Sequence, residues 1–388
     1  MLTKEFLHRV YTIIAILAIA LCGCFAMQVE DGEDLGATNM AKNYLLTFAV
    51  LIPGVVVFFW KRLLLQTPSL IKWLTLTFIW MAFISFAHSP NIRTSIYPIL
   101  NALIPLATLQ LMYTYSSTYG LKKSLYWIFV IMQLILVFQY FRIYDIANAV
   151  DEAHLMTSYY PMFVLPLILL HPSKTVRYAS IFVVTFVIFS SVKRGGLLAL
   201  VIGLIVYVLL NRHIQSKGLR SFIYMLLAFS ILGVIFYYLG NSEYGGAIER
   251  FESVQDDGGS GRDVVWSTTW QMIQDSEGLS FLFGHGYNGV RSDSPVYLSA
   301  HNDFLEAWYD YGIIGFILYA GSMLSFLLYT IRLLKRKSEL APSLGMLLAI
   351  TFILTMISHV LIFYLMTFVC MTIGTILGMD NHSNNIVE

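Results

Sequence analysis

Charge is what this sequence has least of. Only 12% of its 388 residues are charged, about half of the roughly 25% that a soluble domain carries. With 57% hydrophobic and 15% aromatic residues, too few ionised groups remain to clothe a water-facing surface. A soluble globular protein and a disordered chain are both excluded. Cysteine is scarce as well. Cys22, Cys24 and Cys370 all lie in apolar stretches, which leaves neither a disulfide scaffold nor a metal-ligand spacing. The formal net charge of +1 gives no reason to expect nucleic acid as a partner. Also missing are HExxH, a P-loop, a Gly-x-Ser-x-Gly elbow, an internal repeat and any strand-like alternation.

What the chain has instead is apolar runs. A membrane-spanning helix needs about 20 mostly apolar residues, and candidates fall at about 10–27, 44–60, 70–87, 96–115, 124–143, 159–171, 178–192, 196–211, 221–240, 311–331, 343–358 and 362–379. The expected fold is an all-α, polytopic membrane protein of about 12 helices, because in lipid a helix satisfies its own backbone groups. Leu21-Cys22-Gly23-Cys24 has a faint likeness to a lipoprotein cleavage box. The run it closes is the first of many, so it reads as an uncleaved first span.

The few charges are sorted by side. With the N-terminus inside, 16 of the 24 Lys and Arg residues fall in inner segments, whereas 19 of the 23 Asp and Glu residues fall outside. This is the bias of a cytoplasmic face, and it puts both termini there. Three segments follow: residues 1–240 with nine spans, a hydrophilic outer loop at 241–305, and residues 306–388 with three more. A loop of that length in a compact protein is usually functional. Val265, Thr269 and Met272, with Trp266 and Ile273 nearby, have the spacing of a short amphipathic helix lying on the membrane surface.

Chemistry is expected where charge is out of place. Lys193 and Arg194, in Ser190-Ser191-Val192-Lys193-Arg194-Gly195-Gly196, stand at an outer turn that the positive-inside bias disfavours. A cation at membrane depth marks a functional site by default, although a pair snorkelling from a helix end is the plainer reading of Lys193. The glycines open the next helix, where phosphate binds favourably. Arg262, in Gly261-Arg262-Asp263-Val264-Val265-Trp266, can grip phosphate with two parallel hydrogen bonds; a surface Arg–Asp pair is the alternative. His301, in His301-Asn302-Asp303-Phe304-Leu305-Glu306, is suited to general-base work near neutral pH. Asp303, Glu306 and Asp310 share one helical face, a stripe that ordinarily reads as solvated. His88 and His359 read as plain interfacial histidines. No ionisable residue falls at mid-span, where ion-coupled transporters keep theirs, so a surface-facing enzyme is favoured over a pump or channel.

In order, Ser191-Val192-Lys193-Arg194-Gly195-Gly196, Gly261-Arg262 through Trp266, Gly284-His285-Gly286, His301-Asn302 with Leu305, and Gly312-Ile313-Ile314-Gly315 resemble the signatures of the O-antigen polymerase and O-antigen ligase superfamily. The likeness spans about residues 190–330; before 180 it is only a string of spans. It implies a GT-C-like glycosyltransferase of the bacterial inner membrane, with its active site facing the periplasm, that works on undecaprenyl-diphosphate-linked oligosaccharides without a metal or other cofactor. In that reading His301 is the catalytic base, Arg194 and Arg262 hold the diphosphate, and Lys193, Asn302, Asp303 and Glu306 are further substrate contacts. The resemblance also implies the bilayer and a polysaccharide chain-length regulator as partners. The motifs are common to polymerases and ligases, and the modest length of the outer loop favours a polymerase joining lipid-linked repeat units. The alternatives are a ligase delivering the glycan to lipid A-core and, from another class, a lipid-linked oligosaccharide flippase or transporter.

Overall fold

In the computed structural model residues 3–30, 37–59, 67–89, 92–148, 156–191, 193–215, 261–295, 298–361 and 364–387 are described, and every regular element among them is helical. Helices α1 (Lys4–Glu30), α2 (Ala37–Phe59), α3 (Ser69–Ala87), α4 (Ile92–Tyr119) and α5 (Lys123–Asn148) come first. A 3-10 turn (Met156–Ser158) leads into α6 (Tyr159–Ile168), α7 (Lys174–Ser190) and α8 (Arg194–Gln215). Three short helices follow, α9 (Arg262–Gln274), α10 (Gly278–Phe283) and α11 (Gly289–Asp293), and then α12 (Asp303–Lys335), α13 (Ala341–Ile357) and α14 (Leu365–Val387).

Among the described residues six helices are long and apolar enough to cross a membrane, namely Lys4–Met27, Ser69–Ala87, Ser95–Tyr119, Lys123–Tyr144, Arg194–Ile214 and Asp303–Lys335. Shorter apolar helices at Lys42–Val56, Tyr159–Ile168 and Ala341–Ile357 accompany them. The chain is therefore a multi-pass helical membrane protein. The span expected at 221–240 and the loop up to residue 260 lie outside the described residues. The run at 159–171 forms a helix of only 10 residues. Pro172 lies just beyond, and the residue before a proline is turned away from helical geometry. In contrast, α12 starts eight residues before the expected 311, because Asn302 caps it; its side-chain oxygen accepts from the amides of Phe304 and Leu305 at 3.0 and 3.3 Å.

Side-chain contacts define two ends of the bundle. At one end Lys122 pairs with Glu5 at 3.2 Å, Tyr329 donates to Asp380 at 2.7 Å, and His382 hydrogen-bonds the Ser117 carbonyl at 3.3 Å. The other end gathers the first turns of α8, α9 and α12, the last turn of α13, and residues 284–290. Between them runs α14, buried on all sides from Leu365 to Met379 except for a partly covered Met379, as expected of a helix that is apolar all round. It lies closest to α4, where Gly374 and Gly378 allow the backbones to touch. A Cβ at either glycine would come 2.6 Å from the carbonyl oxygen of Leu109 or of Tyr113.

Candidate functional site

The site is built on a break in α12. Gly312 has φ 70° and ψ 179° inside the helix, a conformation open essentially to glycine alone. The break frees carbonyls one turn earlier, and the glycine-rich loop takes them: His285 N–H donates to Tyr309 O at 3.0 Å and Gly286 N–H to Asp310 O at 2.8 Å. Trp80 Nε1 donates to Tyr311 O at 2.9 Å. Gly284 and Gly312 meet back to back, so that a Cβ on Gly312 would sit 2.2 Å from Leu282 O. The His285 ring stacks on Tyr309 with centroids 4.1 Å apart. Asp310 then accepts from the amides of Asn288 and Val290 at 3.0 and 2.9 Å, opening α11. Gly312→Ala is expected to destabilise the protein by about 3 kcal/mol, the upper range for a residue forced into such a conformation. A thermal melt in detergent checks it, and an unchanged melting temperature would contradict this account.

α9 docks onto the same segment. Val265, Thr269 and Ile273 are buried at i, i+4 and i+8, and Ile273 packs with Val290, Ala300 and Tyr309. Trp270 meets Trp308 edge to face at 5.6 Å. The amphipathic helix expected here is present, and its buried stripe faces α12. Gly261, at φ 73°, turns the chain into the helix so that Arg262 is its first residue.

The hexapeptide at 301–306 fixes the last turn of the chain. Asp303 accepts from the amides of Val360 and Leu361, both at 3.0 Å, from Thr355 Oγ1 at 3.2 Å and from Tyr319 OH at 3.3 Å. Glu306 Oε2 and His359 Nδ1 are 3.1 Å apart, with side chains 1% and 2% exposed. His301, in the left-handed region at φ 51°, rests its ring on His359 with centroids 4.4 Å apart. A stripe of acids at this spacing reads as a solvated face, and His359 as an ordinary interfacial histidine; the structure corrects both. Asp303, Glu306 and Asp310 are all buried because each holds groups from another part of the chain. Asn302, Asp303, Asp310 and Glu306 Oε2 are thereby committed to protein partners.

Electrostatics join the cations to this cluster. Burial, then the neighbouring His359, Arg262 and Lys193, push the His301 imidazole down to about 3. His359 is held at about 4, by burial and against the attraction of Asp303. The turn carrying Lys193 and Arg194 packs onto the end of α13: a Cβ on Gly195 would lie 3.0 Å from Ile357, two residues before His359, and one on Gly196 2.6 Å from Tyr159. Segments about 165 residues apart in sequence, at 193–196 and 357–361, thus meet at one end of the bundle. His359 is the member that sequence reasoning passed over. Its one visible signal was its position in a short turn between two apolar runs.

Asp303, Glu306 and His359 offer ligand atoms within 4.8 Å of one another, a spacing that a cation would bridge. Asp303 already accepts four donors and Glu306 Oε2 meets His359, whereas Glu306 Oε1 is buried with no hydrogen-bond partner among the described residues.

A family model described as O-antigen ligase matches residues 179–320. Over this segment the chain is similar to the O-antigen ligase family. The segment takes in Lys193, Arg194, Arg262 and the hexapeptide, and it stops short of His359. The matched segment therefore supplies three of the four stretches of chain that meet at the site, and α13 with its following turn supplies the fourth. The match agrees with the O-antigen polymerase and ligase superfamily expected from the motifs, and it implies a glycosyltransferase-like enzyme. No curated protein matches the chain.

Proposed function

We propose that this protein is an O-antigen (surface polysaccharide) polymerase, moving a growing glycan from undecaprenyl diphosphate onto the next lipid-linked repeat unit at the periplasmic face of the inner membrane. The observation that carries the reading is the convergence of His301 with Arg262 and Lys193 at one end of a membrane-spanning bundle. In this mechanism the acceptor hydroxyl oxygen attacks the anomeric carbon of the donor and its proton passes to His301. The C–O bond to the diphosphate breaks, and its electron pair stays on the phosphate oxygen. Arg194 and Arg262 hold the diphosphate and offset the charge that develops there, where preformed electrostatic stabilisation contributes most. Lys193 adds a third cation. The left-handed His301 is a strained residue of the kind that clusters at active sites.

The mechanism has a consequence for pH. In the free protein burial, then His359 and the cations Arg262 and Lys193, hold His301 low, which keeps its nitrogen unprotonated but weakly basic. A bound diphosphate neutralises those cations and raises the imidazole, since an opposite charge nearby favours the protonated form. Neutral His301 is the working form, so activity falls as the pH drops through its pKa. The acidic limb in kcat, which reports the complex, is therefore expected at higher pH than the limb in kcat/KM, which reports the free enzyme. Coincident limbs in the two profiles would count against the diphosphate lying beside His301.

Lipopolysaccharide from a deletion strain tests the function. A single repeat unit on the core is expected for a lost polymerase. The match to an O-antigen ligase model favours a second reading, transfer to lipid A-core, for which bare core with accumulated lipid-linked polymer is expected. Unaltered glycans would refute both.

A further inference from the structure

We propose that His359, tied to Glu306, is a positioning residue that sets the ring of His301 for proton transfer; the proposal rests on the reading of His301 as the base. His359 cannot itself meet a substrate, because its side chain is 2% exposed. What it does meet is the His301 ring, at 4.4 Å between centroids and 39° between planes. His301 needs such a support. Its backbone is in the left-handed region, which for a residue with a Cβ persists only when the surroundings over-determine it.

The first turn of α12 holds both histidines. His301 directly precedes the cap residue Asn302. His359 is gripped twice from the same turn: its ring at Nδ1 by Glu306, 3.1 Å away, and its backbone through the amides of Val360 and Leu361 on Asp303. Asn302 adds a third tie, its Nδ2 donating to Met356 O at 3.4 Å. A shift of the last turn would thus move His359 and the face on which His301 rests. The charged and titratable groups facing the two rings are Glu306 and Asp303 from α12, Arg262 from α9 and Lys193 from the turn before α8. The ring that touches His301 is thus the one whose Nδ1 meets the Glu306 carboxyl. The arrangement follows the general pattern of a base oriented by a partner that is itself held by a carboxylate, with a ring contact in place of one hydrogen bond.

The test uses the purified full-length protein in detergent, with lipid-linked repeat units extracted from the producing cells as donor and acceptor. His359→Ala and Glu306→Ala are each expected to lower kcat by about 10–100-fold, the scale of an ångström-sized misplacement, with KM within about threefold. Glu306→Gln, which keeps a hydrogen-bonding group at the same reach, is expected to recover most of the rate. The double variant His301→Ala/His359→Ala is expected to match His301→Ala alone, since His359 acts only through His301. Should His359→Ala not fold, His359→Asn, which can keep the bond to Glu306 without a ring, serves with the same expected loss. A wild-type rate in a folded His359 variant, or a further loss on top of His301→Ala, would overturn the proposal and leave the base assignment standing. Full activity in His301→Ala would instead remove the base assignment on which it rests. A requirement for added Mg2+ or Mn2+ that Glu306→Gln abolishes would overturn it in favour of a cation between Asp303, Glu306 and His359.

Discussion

Alanine in place of His301 is expected to lower glycan transfer by about 10²–10⁴-fold, the usual worth of a general base, and alanine in place of Arg262 by about 10²–10³-fold, that of one preorganised charge-stabilising donor. The two losses have different characters. His301→Ala removes the proton acceptor while leaving the diphosphate grip, so it should depress kcat more than it raises KM for the donor. Arg262→Ala removes a cation from a site that half encloses it, so donor affinity and rate should both suffer. Arg262→Lys keeps the charge and loses the planar fork that matches two phosphate oxygens; only partial recovery is expected. The measurement is transfer between purified lipid-linked repeat units, with folding checked by thermal melting in the same detergent. Both variants should fold, because the packing of α9 on α12 rests on Val265, Thr269 and Ile273. Wild-type transfer by either variant would remove that residue from the mechanism.

The second large effect is structural. Asp303→Ala strips the acceptor from the Val360 and Leu361 amides, which meet it at 3.0 Å in a fully buried place. Each buried donor left unpaired costs about 1–3 kcal/mol, so a loss on the order of 4 kcal/mol is expected from the two amides. Thr355 and Tyr319 keep each other as partners at 2.8 Å and add less. Asp303→Asn retains one acceptor oxygen and should lose roughly half as much. Thermal unfolding gives the stability, and transfer assays below the transition show whether the loosened turn also costs activity through His359. A melting temperature for Asp303→Ala equal to the parent would mean that the 358–361 turn is held by other contacts.

These residues show where the sequence was legible. The spacing of Val265, Thr269 and Met272 points to one helical face, and α9 is that helix, but its buried stripe of Val265, Thr269 and Ile273 packs on α12, where the spacing had pointed to the membrane surface. The boundary of α12 was placed eight residues late. Its first two turns carry Asp303, Glu306 and Asp310, and a hydropathy argument reads acids as outside a span; their partners, at Val360, His359 and Val290, come from elsewhere in the chain. The glycine signatures at 284–286 and 312–315 were visible as patterns, but that one exists to fit the other could not be read from either.

Residues taken one after another are enough to establish a multi-pass helical membrane protein and to pick out the few charges that stand out of place. Both follow from local quantities, because transfer into lipid is decided residue by residue along about 20 positions. That the 193–196 turn, Arg262, His301 and His359 share one end of the bundle, and that the acids beside them face inward, depends on packing between segments far apart in the chain. Burying a carboxyl is favourable only when polar partners meet it, and the 359–361 turn that meets Asp303 and Glu306 lies more than 50 residues further along the chain.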